Sequence, residues 1–281
     1  MGDPMIDFFW NYGFMQNALL GGVLMAILCA LLGTFLVLRR LSLLGDGFAH
    51  LAFGGIAIGL LAGIEPLISA LAVTTIGALG LPKIMEQAKV YGDSATAVIL
   101  TFGMGIAVVL IGLVKGFNVN LFSYLFGSLL AISPTDLLIM GAVFVLVLAF
   151  IKWKYAELLF TTFDTDLAHT AGVRTSGLTR ALTVLTAIVV VLAVRVVGIL
   201  LVTGLLVIPA LIALQLARSF KQTLLIAAGV SLASVLAGII AAYYLDLPPG
   251  GTVVVLLCIV FFCATGLTGL HGQAKPNVLP H

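Results

Sequence analysis

A run of about twenty apolar residues without charge folds as a helix buried in lipid or among other helices, because only a helix satisfies its own backbone there. This chain repeats that pattern from one end to the other. Residues 17–38, 94–114, 223–245 and 251–270 contain no Asp, Glu, Lys or Arg. Further apolar runs cover 41–64, 66–82, 136–151, 178–194 and 196–217, so nine spans are expected. The run at 136–151 is short and Arg195 interrupts 178–217, which makes eight and ten the alternatives. The runs are continuous rather than alternating, so they predict an all-α polytopic transmembrane helix bundle and not a β-barrel.

Composition narrows the class further. Of 281 residues, 62% are hydrophobic and 9% charged, whereas a soluble domain carries about 25% charged residues. No stretch is left for a soluble domain of ordinary size, and residues 1–281 read as one transmembrane domain. A net charge of +2 offers no footing for nucleic acid. Residues 1–16 hold no Lys or Arg, so the basic start of a cleavable signal is missing and the first span is expected to be retained. Cys29, Cys258 and Cys263 show no metal-ligand spacing and read as small buried apolar residues.

The basic residues orient the spans. With the N-terminus outside and nine crossings, the inside segments collect Arg39, Arg40, Lys83, Lys89, Lys152, Lys154, Arg174, Arg180, Arg218, Lys221 and Lys275. Only Lys115 and Arg195 fall outside. That bias is the positive-inside rule, and it places the C-terminus in the cytoplasm. Two outside connections, Glu65-Pro66 and Asp246-Leu247-Pro248-Pro249-Gly250, are tight turns. The longest polar stretch is the inside loop at 152–177. Within it Phe163-Asp164, followed by Asp166-Leu167-Ala168, reads as the start of a short helix, and Gly172 as its stop. Such an amphipathic element suits docking of a soluble partner; a plain surface loop is the alternative.

Ionisable residues inside spans cost about 2.5–3.5 kcal/mol each on insertion scales and are usually functional. The second span, Leu41 to Ile64, holds Asp46 and His50 four positions apart, on one helical face and near the middle of the span. A carboxylate and an imidazole at that spacing can share a divalent cation, with donors that suit zinc, manganese or iron(II). A structural Asp–His pair and a proton relay are the competing readings. Gly45, Gly47, Gly54 and Gly55 surround the pair and would let other helices approach closely. One chain supplies two ligands, so water, backbone or a second copy would supply the rest. In the seventh span, Pro209 is expected to kink the helix where a pathway passes. His169, His271 and His281 have no ligand spacing and read as solvated. The chain lacks GxxxxGK[ST] and HExxH, so neither ATP hydrolysis by that loop nor zinc proteolysis is expected of it.

Five segments in order now carry a resemblance. They are Arg39-Arg40-Leu41-Ser42 through Asp46 to His50, Asn120 to Ala131, Phe163-Asp164 with Ala168 and Gly172, Val197-Gly198 through Thr203 to Pro209-Ala210, and Leu247-Pro248-Pro249-Gly250. Together they resemble the membrane permeases of zinc and manganese ABC importers, over about residues 17–270. The resemblance implies a non-catalytic permease of the bacterial or archaeal cytoplasmic membrane, working as a homodimer or a close heterodimer. It implies as partners a cytoplasmic ATP-binding subunit, an extracytoplasmic metal-binding protein and the membrane lipid. It also implies that Asp46 and His50 contact the transported divalent ion, zinc foremost, while Phe163, Asp164, Ala168 and Gly172 form the helix that couples to the ATPase. No bound cofactor is expected. Ser128 departs from the pattern, since many zinc members carry an acidic residue there, and manganese and iron(II) stay open as cargo. A proton-coupled secondary transporter would work without an ATPase and would often show inverted repeats; no clear repeat is visible. A siderophore or cobalamin permease would need a wide path without a ligand pair.

Overall fold

A computed structural model describes residues 13–90, 92–113, 124–127 and 132–270. The described residues are helical with no strand. In chain order the helices are α1 Gly13–Leu38, α2 Leu44–Ala62, α3 Pro66–Ala88, α4 Gly92–Leu113, α5 Pro134–Trp153, α6 Tyr155–Phe163, α7 Thr165–Thr170, α8 Thr175–Val197, α9 Val202–Leu216, α10 Phe220–Leu245 and α11 Pro249–Leu270. Eight are long and apolar enough to cross a membrane: α1 to α5, α8, α10 and α11. The ninth expected span is present as α9, whose 15 residues reach about 22 Å, short of the roughly 30 Å hydrocarbon core. The missing length is the non-helical segment Gly198–Leu201, which falls inside the apolar run 196–217.

Burial divides the bundle into a centre and a shell. Most of α1, α2 and α8 is buried, whereas most of α3, α4, α5 and α11 is exposed or half-buried. Val98, Phe102, Val109 and Leu113 on α4 are exposed large hydrophobics, as lipid- or partner-facing surfaces require. Central helix α1 packs on α10, α9, α8 and α5, and α2 lies between α3 and α4 on one side and α8 and α9 on the other. Small residues set the α2–α4 spacing: a Cβ on Gly54 would sit 2.8 Å from the Gly103 carbonyl oxygen, and one on Gly103 2.5 Å from Leu51 Cα. Backbones meet directly there, which is how helices gain contact where lipid offers no hydrophobic drive.

Of the cysteines, Cys29 is buried as expected, but Cys258 is half-buried and Cys263 exposed. Both lie on α11, a shell helix, and an apolar thiol meets lipid there at little cost.

Candidate metal-ion site

Helix α2 begins at Leu44, three residues later than the sequence suggested. Asp46 therefore lies in its first turn, where the unpaired N–H groups of the helix favour a carboxylate. His50 follows one turn later, about 6 Å along the axis. Both thus sit toward the Arg39 end of the span rather than at its middle. His50 Nε2 is 3.6 Å from Asp46 Oδ1, and the two side chains are 12% and 32% exposed. That separation is longer than a hydrogen bond. His50 Nδ1 is buried and has no hydrogen-bond partner.

A third group comes from elsewhere in the chain. Thr203, in the first turn of α9, donates its hydroxyl to Asp46 Oδ1 at 3.4 Å. Gly45 faces the same turn of α9, since a Cβ there would meet Leu206 Cδ1 at 2.5 Å and Thr203 Oγ1 at 3.7 Å. No group of three His, Cys, Asp or Glu converges among the described residues. One chain therefore offers a carboxylate, an imidazole and a hydroxyl at the meeting of α2 and α9.

The start of α9 is held by backbone. Gly198 ends α8 with φ +88° and ψ 162°, a conformation essentially confined to glycine. Ile199 N–H donates to Tyr124 O at 3.0 Å and Leu200 N–H to Leu125 O at 3.3 Å. A Cβ on Gly250 would sit 2.5 Å from Val197 O and 3.0 Å from Phe126 O. Thus three of the five segments singled out above, those holding Tyr124–Gly127, Gly198–Leu201 and Gly250, meet at the head of α9. The rest of the stretch from Asn120 to Ala131, Ser128 included, lies outside the described residues. Pro209 is buried within α9, and the helix continues through it; the interruption lies at Gly198.

A charged cluster lies at the far end of α2. Arg195, expected in a connection between spans, is instead in the last turn of α8. Its guanidinium donates to Asp136 Oδ2 at 2.5 Å and to Glu65 Oε1 at 2.8 Å. Asp136 also accepts from Ser133 N–H and Oγ, closing a capping box on α5, and Glu65 caps α3 through Ile68 N–H. Burial raises the Tyr124 phenol above its ordinary pKa, opposed by Arg195 and reinforced by Glu65 and Asp136. Nothing local in the sequence marks these residues as one cluster, because they come from three separate span ends. A lone Arg at the end of an apolar run, with acids at two other span ends, was the available signal.

The stretch at 152–177 is mostly helix rather than loop. Lys154 alone separates α5 from α6, and Asp164 alone separates α6 from α7. Asp164 caps α7, its Oδ1 accepting from Leu167 N–H at 2.8 Å. Gly172, at φ +87°, closes α7 with bonds from Gly172 N–H to His169 O and from Val173 N–H to Ala168 O, both 3.0 Å. Ala168 is fully buried, while Phe163 and Leu167 are 53% and 56% exposed. The element thus has one face against the bundle and an apolar edge about half exposed.

Residues 11–267 match the ABC 3 transport family. The chain belongs to that family. The high-affinity zinc uptake system membrane protein ZnuB of Haemophilus influenzae is 32% identical to this ABC 3 family member over 87% of the chain and 94% of its own length. The manganese transport system membrane protein MntC of Halalkalibacterium halodurans is 31% identical over 90% and 87%. The solved structure of PsaBC from Streptococcus pneumoniae in complex with Fab superposes with a TM-score of 0.83 at 27% identity, over 95% of this chain and 98% of that one. The resemblance drawn from the motifs therefore holds: this ABC 3 family member is a multi-pass membrane permease of the metal-ion ABC importers.

Proposed function

We propose that this permease carries divalent metal ions, zinc foremost, through a transient site at Asp46 and His50, driven by ATP hydrolysis in a partner subunit. The observation that supports this best is the 3.6 Å separation of His50 Nε2 and Asp46 Oδ1. An ion about 2.1 Å from each ligand would see them at an angle of about 118°, between the tetrahedral and trigonal values and open to further ligands. One imidazole and one carboxylate suit zinc, and the relatives named for zinc and for manganese keep both in view. Two strong ligands per chain make a weak site, as release requires; water, backbone or the second copy of a homodimer would supply the rest.

In this reading the N-terminus faces outside, and a binding protein delivers the ion from there. Helix α7, with Phe163, Asp164, Ala168 and Gly172, docks on the cytoplasmic ATPase, and the exposed Phe163 and Leu167 supply apolar contact. Pro209 lies in the pathway-lining helix α9.

The test is uptake of radioactive zinc and manganese into vesicles holding the permease, its ATPase and its binding protein. Wild type is expected to take up zinc only with ATP. Asp46→Asn and His50→Ala are expected to abolish uptake while the dimer and the ATPase complex stay assembled. Uptake without ATP would point to a secondary transporter. Uptake retained by His50→Ala would retire His50 as a ligand, and loss of the folded dimer would make the pair structural.

A further inference from the structure

Arg39 lies in the turn between α1 and α2, seven positions before Asp46. Its Nε donates to Thr162 Oγ1 on α6 and its Nη1 to Thr179 Oγ1 on α8, both at 3.3 Å. The Thr162 hydroxyl spends its own proton on Leu158 O at 2.6 Å, so toward Arg39 it is an acceptor only. Among the described residues no carboxylate lies within ion-pair reach of this guanidinium, and its Nη2 is buried with no partner. Burial brings its pKa down to about 10, so it remains charged at neutral pH. A half-buried guanidinium held by two hydroxyls and lacking a counter-ion is a poor static staple, because an unmade buried donor disfavours the arrangement that leaves it so. It suits a contact that exchanges partners between two states of the molecule.

The turn around Arg39 has little slack. Arg40 takes the left-handed conformation, φ 57°, and bonds from Arg40 N–H to Val37 O at 3.1 Å and from Leu41 N–H to Leu36 O at 2.9 Å close α1. Leu44 N–H to Leu41 O at 3.1 Å and Gly47 N–H to Leu43 O at 3.0 Å then open α2. A second link runs in parallel one turn earlier. Phe163 meets Phe220 edge-on at 6.0 Å between ring centroids, and Phe220 meets Phe35 of α1 at 5.4 Å.

We propose that Arg39 is the positioning residue that passes movement of α6 and α7 into α2, and so to Asp46 and His50. This rests on the reading of α7 as the ATPase-docking helix and of Asp46 and His50 as the ion site. Thr162 is the input, since it directly precedes Phe163 and Asp164. The α1–α2 turn is the output, since it leads into the first turn of α2. Thr179 ties the same guanidinium to central helix α8, against which the displacement is made.

The permease and its ATPase are reconstituted with the binding protein in vesicles, and ATP hydrolysis and zinc and manganese uptake are measured together. Arg39→Gln is expected to leave the ATPase bound and hydrolysis within about twofold of wild type, while ions carried per ATP fall about tenfold. Thr162→Val, which keeps the side chain's shape, is expected to lower the same ratio a few-fold. The double variant is expected to be no worse than Arg39→Gln alone. Hydrolysis and uptake falling in proportion in Thr162→Val would make the contact a structural staple and overturn the proposal. Loss of the ATPase from Thr162→Val, or an unchanged ratio in both variants, would also overturn it. Wild-type vesicles without ATP-driven uptake would instead sink the functional reading, and this inference with it.

Discussion

Asp46 Oδ1 is approached by two groups, the His50 imidazole at 3.6 Å and the Thr203 hydroxyl at 3.4 Å. Both lie on the same oxygen, which sets the carboxylate's rotation and leaves Oδ2 free of either. A weak neutral donor is worth about 0.5–1.5 kcal/mol, enough to shift the apparent KM for the ion about two- to tenfold. Thr203→Val is therefore expected to raise KM by roughly threefold with little change in maximal rate. Thr203→Ser, which keeps the hydroxyl, is expected to restore it. Concentration-dependent uptake of zinc and manganese checks this, and a fall in maximal rate at constant KM would mean that Thr203 acts through packing. At this scale the i, i+4 spacing of Asp46 and His50 was legible, because one helix fixes it. Thr203 is 157 positions away, and nothing local to either segment announces their meeting.

Among the elements, the break between α8 and α9 matters most for the site, because it brings the first turn of α9 to Asp46. Glycine is required at that break on two counts. The backbone at Gly198 sits at φ +88° and ψ 162°, and a Cβ there would collide with Leu125 O and meet Gly127 N at 2.5 Å. Strain and collision together put the cost of Gly198→Ala at about 3 kcal/mol or more. Thermal unfolding in detergent is expected to show a clear loss of stability and uptake to fail. Gly105→Ala on α4, where nothing lies within 4 Å of an added Cβ, is the matched control and is expected to be neutral. Equal effects of the two would show that the break tolerates a side chain. Long apolar helices were legible because hydropathy alone specifies them. The break at Gly198 was not legible for a physical reason: a glycine within an apolar run is ordinary, and this one acts through a tertiary contact with Tyr124–Gly127. The polar stretch at 152–177 concealed α6 for a related reason, since its helix is stabilised by one buried face, Leu158, Thr161 and Thr162, and not by long apolar runs.

Across the whole molecule, α8 is tied at both ends, by Thr179 to Arg39 and by Arg195 to Glu65 and Asp136. The two carboxylates at the Arg195 end differ in weight. Glu65 is 46% exposed and Asp136 7%, so the Glu65 arm is a surface pair worth under about 1 kcal/mol. The Asp136 arm is a buried pair, and removing its cation leaves an uncompensated charge at a cost of about 3–5 kcal/mol. The Ser133 capping box still donates to Asp136, which puts the expected loss for Arg195→Met near the lower end, about 3 kcal/mol. For a chain of this size that corresponds to a drop of about 6–12 °C in Tm, against a degree or two for Glu65→Gln. If Glu65→Gln costs as much as Arg195→Met, the cluster acts as one network whose strength does not follow burial. If Arg195→Met is restored by a second change, Asp136→Leu, the penalty belongs to the stranded carboxylate, and the three helices α3, α5 and α8 can be held together without charge.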